Sequence, residues 1–279
     1  MAKTAVVTGA STGIGEATAL RLARAGWKVF AGVRREADGE KLATEAGTNV
    51  TPVLLDVTNG DEIAATAAAV DAAGGRLDAL VNNAGIATGG PVEHLPIDEW
   101  RWQMEVNLIG QVAVTQALIP AVRRARGRLV FIGSMSGRLA TPLMGPYGAS
   151  KHAIEALCEA LRHELKPFGV ATVLLEPGAV RTPIWEKGRS TADRLEGMIP
   201  QEGRADYAPF LAAIRKGIDD QERIGIPPDD VAKVVERALA AAHPRARYPV
   251  GRDSQIAAIM TRLLPDRLRD PLVAKLAGP

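Results

Sequence analysis

Apolar residues along this chain follow two alternating rhythms. Short, nearly continuous apolar runs at residues 3–9 and just before Pro177 read as buried strands, and the runs at 27–35, 50–58 and 77–81 read as further strands. Residues 14–25 instead place Ile14, Ala17, Leu20, Leu22 and Ala25 mostly on one side of a helix. Strand-like and helix-like runs keep alternating through the first 180 residues. With a glycine-rich turn after the first strand, that favours an α/β fold: a doubly wound parallel sheet with helices on both faces. Residues 229–242 predict a last core helix, with Val231, Val234, Val235 and Leu239 as its apolar face and Asp229 or Asp230 as its cap. R-Y-P-V-G then enters a final strand.

Length and composition narrow the classes. At 279 residues and 47% hydrophobic content, the chain suits one large domain over residues 1–279. A net charge of +2 with scattered basic residues gives no nucleic-acid footprint. Cys158 is the single cysteine, which excludes an intrachain disulfide and fits a reducing cytosol. With the first strand expected from residue 3, there is no room for a cleavable leader, and no run approaches the roughly 18 apolar residues of a membrane span. A cytoplasmic location is the expectation. His94, His152, His163 and His243 are dispersed, so no metal site is expected.

The chemistry begins at A-V-V-T-G-A-S-T-G-I-G. Gly9, Gly13 and Gly15 let the backbone turn tightly and bring a diphosphate to main-chain N–H groups at a helix start. The second strand ends in Arg34 and Arg35, with Val33 where an NAD-preferring fold places a carboxylate. An arginine at that place accommodates a ribose 2′-phosphate, so NADP(H) is favoured and NAD(H) stays open; the alternative is a solvated pair of surface arginines. Asp56, at the end of the third strand, points to the ligand edge of the sheet, placed to accept from an adenine amino group. Asn82 fixes the following loop, and Asn83, Ala84 and Gly85 allow close backbone approach.

Tyr147 and Lys151 stand four residues apart in Y-G-A-S-K, about one helical turn, so a helix puts phenol and ammonium on one face. A tyrosine ionises near pH 10, and an adjacent ammonium and the positive end of a helix starting at Pro146 would both lower that value. Alone, the pair also fits an exposed tyrosine above a solvated lysine.

Taken in order, T-G-A-S-T-G-I-G at 8–15, D-V at 56–57, N-N-A-G at 82–85, Asn107 in E-V-N-L, Ser134, Y-G-A-S-K at 147–151 and P-G at 177–178 resemble the classical short-chain dehydrogenase/reductase (SDR) family, whose fold is a Rossmann fold. The resemblance covers residues 3 to about 183. It implies hydride transfer between NAD(P) and an alcohol or carbonyl. Tyr147 would be the acid/base, Ser134 would orient substrate, Lys151 would lower the tyrosine pKa and hold the nicotinamide ribose, and Asn107 would complete a proton relay. Ser134 is chosen over Ser136 because it lies 13 positions before Tyr147, and Ser136 is expected to cap the next turn. The implied cofactor contacts are Gly9, Ser11, Thr12, Gly13, Ile14, Gly15, Arg34, Asp56, Val57, Asn83, Ala84, Gly85, Tyr147, Lys151, Pro177, Gly178, Val180 and Thr182; Thr182 is equally a cap before Pro183.

Residues 185–228 look like the family's substrate lid, with Trp185, Met198, Ile199, Tyr207 and Phe210 lining an apolar pocket or packing on the surface. The extension at 252–279 alternates apolar and basic residues; it fits a pocket mouth, an oligomer contact or peripheral membrane association, with Pro265 and Pro271 interrupting any long helix. Helices at roughly 103–125 and 148–166 resemble those that build the family's homodimers and homotetramers. The leading expectation is an NADP(H)-dependent oxidoreductase for a steroid-, retinoid- or lipid-like alcohol or ketone. A small ketone or hydroxy acid is the alternative substrate, and a non-catalytic NAD(P)-binding sensor or scaffold the alternative class.

Overall fold

The computed structural model describes residues 2–183, 190, 193, 194, 196, 197 and 199–277. Among them, seven strands make one parallel sheet: β1 (Thr4–Val7), β2 (Lys28–Val33), β3 (Val50–Leu54), β4 (Ala79–Asn82), β5 (Arg128–Ile132), β6 (Ala171–Pro177) and β7 (Arg247–Val250). Their order is β3-β2-β1-β4-β5-β6-β7, so the winding reverses between β1 and β4, where ligands of open parallel sheets bind. Alternate strand residues serve opposite layers, as the pleat requires. Ala5, Val7, Val81 and Val130 join one buried cluster, and Val6, Leu80, Leu129 and Phe131 the other.

The first cluster is closed by α1 (Gly13–Arg24), α2 (Glu36–Ala46) and α8 (Pro228–Ala240). The second is closed by α3 (Gly60–Ala72), α5 (Gly110–Ala125) and α6 (Gly145–Leu165). Helix α4 (Ile97–Met104) runs into α5 through a π-helical turn, Glu105–Ile109. Helix α7 (Gln201–Ile224) follows the cofactor edge, and α9 (Arg252–Leu263) and α10 (Asp266–Ala277) form the extension. The fold class is as the periodicity predicts.

Several expectations are corrected. Neither Asp229 nor Asp230 caps α8: the cap position is Pro227, which has no side chain able to accept. Asp229 instead takes both forks of Arg21, at 2.8 and 2.7 Å, tying α8 to α1, and Asp230 pairs with Lys233 at 2.7 Å. Pro265 separates α9 from α10, whereas Pro271 lies inside α10, as Pro120 and Pro209 lie inside α5 and α7. An internal proline removes one backbone hydrogen bond without having to end a helix. The stretch Ile97–Ala125 contains an 18-residue window of mean hydropathy 1.2, contrary to the expectation that no run comes close to a membrane span. Half of that window is buried within the fold, where it packs against α3 and α6.

Candidate active site

The turn after β1 forms as its glycines require. Gly9 and Gly13 adopt φ of 62° and 63°, and a Cβ on Gly15 would fall 2.2 Å from the Gly9 carbonyl oxygen. A side chain at 15 would therefore push α1 off the turn. The turn is pinned from β4: the Asn83 side-chain amide donates to the Thr8 and Gly9 carbonyls at 2.9 and 3.1 Å, and the Thr8 hydroxyl accepts the Asn83 and Ala84 N–H groups, both at 2.9 Å. Asn83 thus lines the cleft while its amide nitrogen holds the loop. Asn82 is fully buried and donates to Thr115 Oγ1 at 2.9 Å, tying the end of β4 to α5, so the loop itself is held by Asn83 and not, as expected, by Asn82.

The two arginines after β2 divide their work. Arg35 forks onto Asp38 at 2.9 and 2.8 Å. Arg34 is exposed, lines the cleft and has no ion pair or hydrogen bond among the described residues. Asp56 Oδ1 accepts from both the N–H and the hydroxyl of Thr58, at 2.9 and 2.7 Å, which leaves Oδ2 for a ligand.

Across the cleft, Tyr147 sits in the first turn of α6 beside Pro146, with Lys151 one turn on, as the spacing predicts. Ser134 follows β5, and its hydroxyl accepts from the Ser136 N–H at 3.1 Å. Ser134, not Ser136, therefore caps the 3-10 turn Met135–Gly137, which corrects the expected assignment and holds Oγ in place. Burial pushes the Tyr147 phenol above its ordinary value, and its hydrogen bond with Ser134 pulls it partly back. That corrects the expected direction. Lys151 Nζ donates to the Ile132 carbonyl at 2.9 Å and lies 5.7 Å from the centre of the tyrosine ring, so desolvation governs the phenol. Burial also lowers the Lys151 ammonium to about 8.

Asn107 lies in the π-helical turn, fully buried behind the cleft. Its Oδ1 accepts from the Ile86 N–H at 2.8 Å, and its Nδ2 donates to the Ile86 carbonyl at 3.0 Å and to Ser150 Oγ at 3.1 Å. Ser150 Oγ donates in turn to the Tyr147 carbonyl at 2.8 Å, linking this framework to the first turn of α6.

Every residue predicted to contact a cofactor lines one continuous cleft except Gly15, which packs beneath the turn. Thr182 lies against Gly13, so the far ends of the predicted set meet; the alternative cap role of Thr182, and Trp185 and Met198 of the proposed lid, fall on or beside residues outside those described. Ile86, Trp102 and Val106 line the same cleft without having been legible in the sequence. Sequence reasoning also missed a ladder. Gln103, Asn107, Gln111 and Thr115 recur every four residues, and their side chains hold Ile86 and Thr88, Ile86 again, Ala84 and Asn82 in turn. A spacing of four drifts around an α-helix of 3.6 residues per turn, and the wider π turn takes up part of that drift. Four polar residues at that interval in an apolar stretch were the available signal.

Known proteins resemble this chain over most of its length. A sequence profile described as "short chain dehydrogenase" matches residues 3–193. The chain is similar to an NADPH-dependent 3-dehydrocapnine reductase from Ornithobacterium rhinotracheale, 36% identical over 97% of this chain and 96% of that one. It is similar to mouse retinol dehydrogenase 16, 35% identical over 96% of this chain and 86% of the relative. Among solved structures, a short chain dehydrogenase from Burkholderia cenocepacia in complex with NADP superposes with a TM-score of 0.75 at 25% identity, covering 100% and 98% of the two chains. A glycine turn at the β1–α1 junction, a Ser–Tyr–Lys set facing it across one cleft, and a profile match over most of the chain agree: this protein belongs to the short-chain dehydrogenase/reductase family and is an oxidoreductase of that family.

Proposed function

We propose that this protein interconverts an apolar secondary alcohol or ketone, or the related primary alcohol or aldehyde, using NADP(H), with Tyr147 as acid/base. The observation that carries the reading is that Tyr147, one turn before Lys151 on α6, lines a single cleft with Ser134 and the glycine turn.

The residues fit an NADP(H) molecule on their own terms. Gly9, Ser11, Thr12, Gly13 and Ile14 would hold the diphosphate, with Gly15 beneath them. Arg34, just after β2 and without a hydrogen bond or ion pair among the described residues, supports recognition of a 2′-phosphate, and Oδ2 of Asp56, which has no partner among the described residues, an adenine amino group beside Val57. Ala84 and Gly85 would pass under the nicotinamide ribose, and Pro177, Gly178, Val180 and Thr182 would fix the ring's carboxamide side. When bound, the nicotinamide supplies or accepts the hydride. The chain's own part is the proton. In the carbonyl-reducing direction, negative charge grows on the substrate oxygen, where the Ser134 and Tyr147 hydroxyls converge as donors. Tyr147 then gives its proton to that oxygen. With the phenol pKa pushed up, the protonated donor dominates at neutral pH, and alcohol oxidation, which needs the phenolate, speeds up as pH rises.

Ile86, Trp102 and Val106 give the substrate side an apolar lining, and the names of the capnine and retinol relatives point to lipidic substrates. Residues 199–228, with α7 carrying Tyr207 and Phe210 along its length, support a lid over that side. A single buried cysteine supports a cytoplasmic setting, and α5 and α6 are the proposed homodimer or homotetramer faces, testable by light scattering. The direct test is oxidation of a panel of lipidic and small alcohols with NADP and with NAD. Turnover of lipidic alcohols with NADP is expected. Tight cofactor binding with no turnover on any member would instead support a sensor, and preference for small hydroxy acids would displace the lipidic reading.

A further inference from the structure

We infer that Asp253 and Ser254, in the C-terminal extension, are positioning residues for the cofactor-facing turn at Pro177–Gly178, and that glycine is needed at 178 to make room for the Asp253 carboxylate. The inference rests on the NADP(H) reading above and names what holds that wall of its site.

Strand β6 ends at Pro177, and the turn beyond it lines the cleft through Pro177, Gly178 and Val180. Three main-chain groups of the turn are held from residues 250–254, while Ile226 holds the Ala179 carbonyl and the Arg181 N–H. Ser254, itself buried, donates its hydroxyl to the Glu176 carbonyl at 2.6 Å. The Gly178 N–H donates to the Val250 carbonyl at 2.9 Å, and the Ala179 N–H donates to Asp253 Oδ2 at 2.6 Å. Gly178 has none of the positive φ values that call for glycine. What excludes a side chain there is Asp253: an added Cβ would stand 2.0 and 2.1 Å from its two carboxylate oxygens. A hydrogen bond to a charged carboxylate is worth more than a neutral one, and a group that fixes a binding turn before the ligand arrives removes the cost of ordering it on binding. Asp253 lies in the first turn of α9, where the helix dipole favours its charge.

The test measures NADPH affinity by fluorescence and Tm in parallel, for the wild type, Asp253→Ala, Asp253→Asn, Ser254→Ala, Gly178→Ala and the double variant Gly178→Ala/Asp253→Ala. Asp253→Ala should weaken NADPH binding about tenfold, the scale of one charge-assisted hydrogen bond. Asp253→Asn, which keeps an acceptor oxygen, should recover most of that, and Ser254→Ala should weaken binding about threefold. Gly178→Ala should weaken binding strongly in the wild type and by less than about threefold once Asp253 is gone, a coupling expected only of residues in contact. Asp253→Ala that lowers Tm but leaves NADPH affinity unchanged would reduce the residue to a fold tie and overturn the inference. Equal cost of Gly178→Ala in both backgrounds would do the same. Should Asp253→Ala not fold, Asp253→Asn and Ser254→Ala carry the test through their affinities. A wild type that binds no nicotinamide dinucleotide would overturn the functional reading, and this inference with it.

Discussion

The two walls of the cleft are held in opposite ways. On the Tyr147 wall the partners are near neighbours in sequence: Tyr147 and Lys151 share one turn of α6, Ser150 Oγ bonds back to the Tyr147 carbonyl, and Ser134 caps its own 3-10 turn. On the wall formed by the turn after β6, the backbone is held from far along the chain, by Asp253 on Ala179 N and Ser254 on the Glu176 carbonyl, 74 and 78 positions away. Short-range geometry follows from helix and turn rules, so the first wall repeats as a motif. The second depends on where the last strand and the extension happen to dock.

That contrast can be broken from either side. The largest effect should come from Ser134→Ala, which removes a donor aimed at the developing oxyanion: kcat should fall by roughly 100- to 1000-fold with NADPH affinity nearly unchanged, measured by steady-state kinetics and fluorescence titration. Asn107→Ala comes next. It unties Ile86 and Ser150, leaves buried polar groups unpaired, and should cost about 1–3 kcal/mol in chemical denaturation while lowering kcat. Arg34→Ala should weaken NADP binding by about 10- to 100-fold and leave NAD binding unchanged, seen by calorimetry with both dinucleotides.

The smallest effect concerns Glu176, whose backbone Ser254 holds. Its side chain is buried beside Glu155 and Arg138, and burial first, then Glu155, raises its pKa to about 7 against the pull of Arg138. The folded state therefore keeps a proton that the unfolded chain has already lost at that pH, so the associated stabilisation is present at low pH and is lost as pH rises through about 7. Melting curves from pH 5 to 8 should show the wild type losing Tm relative to Glu176→Gln as pH rises. Parallel curves would mean that Glu176 does not titrate in this window.

The sequence was most legible where structure is local. Continuous apolar runs marked the strands, although β3, at the sheet edge, is half exposed, and glycine spacing marked the β1–α1 turn. The four-residue spacing of Tyr147 and Lys151 was enough to put both on one face of α6. Partners distant in sequence were not legible. Asp229 reads as a helix cap by position, yet it pairs with Arg21, 208 positions away, because α1 and α8 pack side by side on the same face of the sheet. The same limit hid the ladder from Gln103 to Thr115, since its partners lie on a loop that only the β4–α5 packing brings alongside. The phenol pKa was misread for a different reason: spacing shows that a lysine is near, but not that burial outweighs it or that Nζ turns to the Ile132 carbonyl.

The central claim is that Tyr147 moves the proton. Its most direct test is Tyr147→Phe, with NADPH affinity and the NADPH-driven reduction of lipidic ketones measured on the same samples. The account predicts at least a ~100-fold loss of turnover, the scale of a positioned general acid, with NADPH affinity within a few-fold of wild type. Turnover retained within a few-fold of wild type would contradict it.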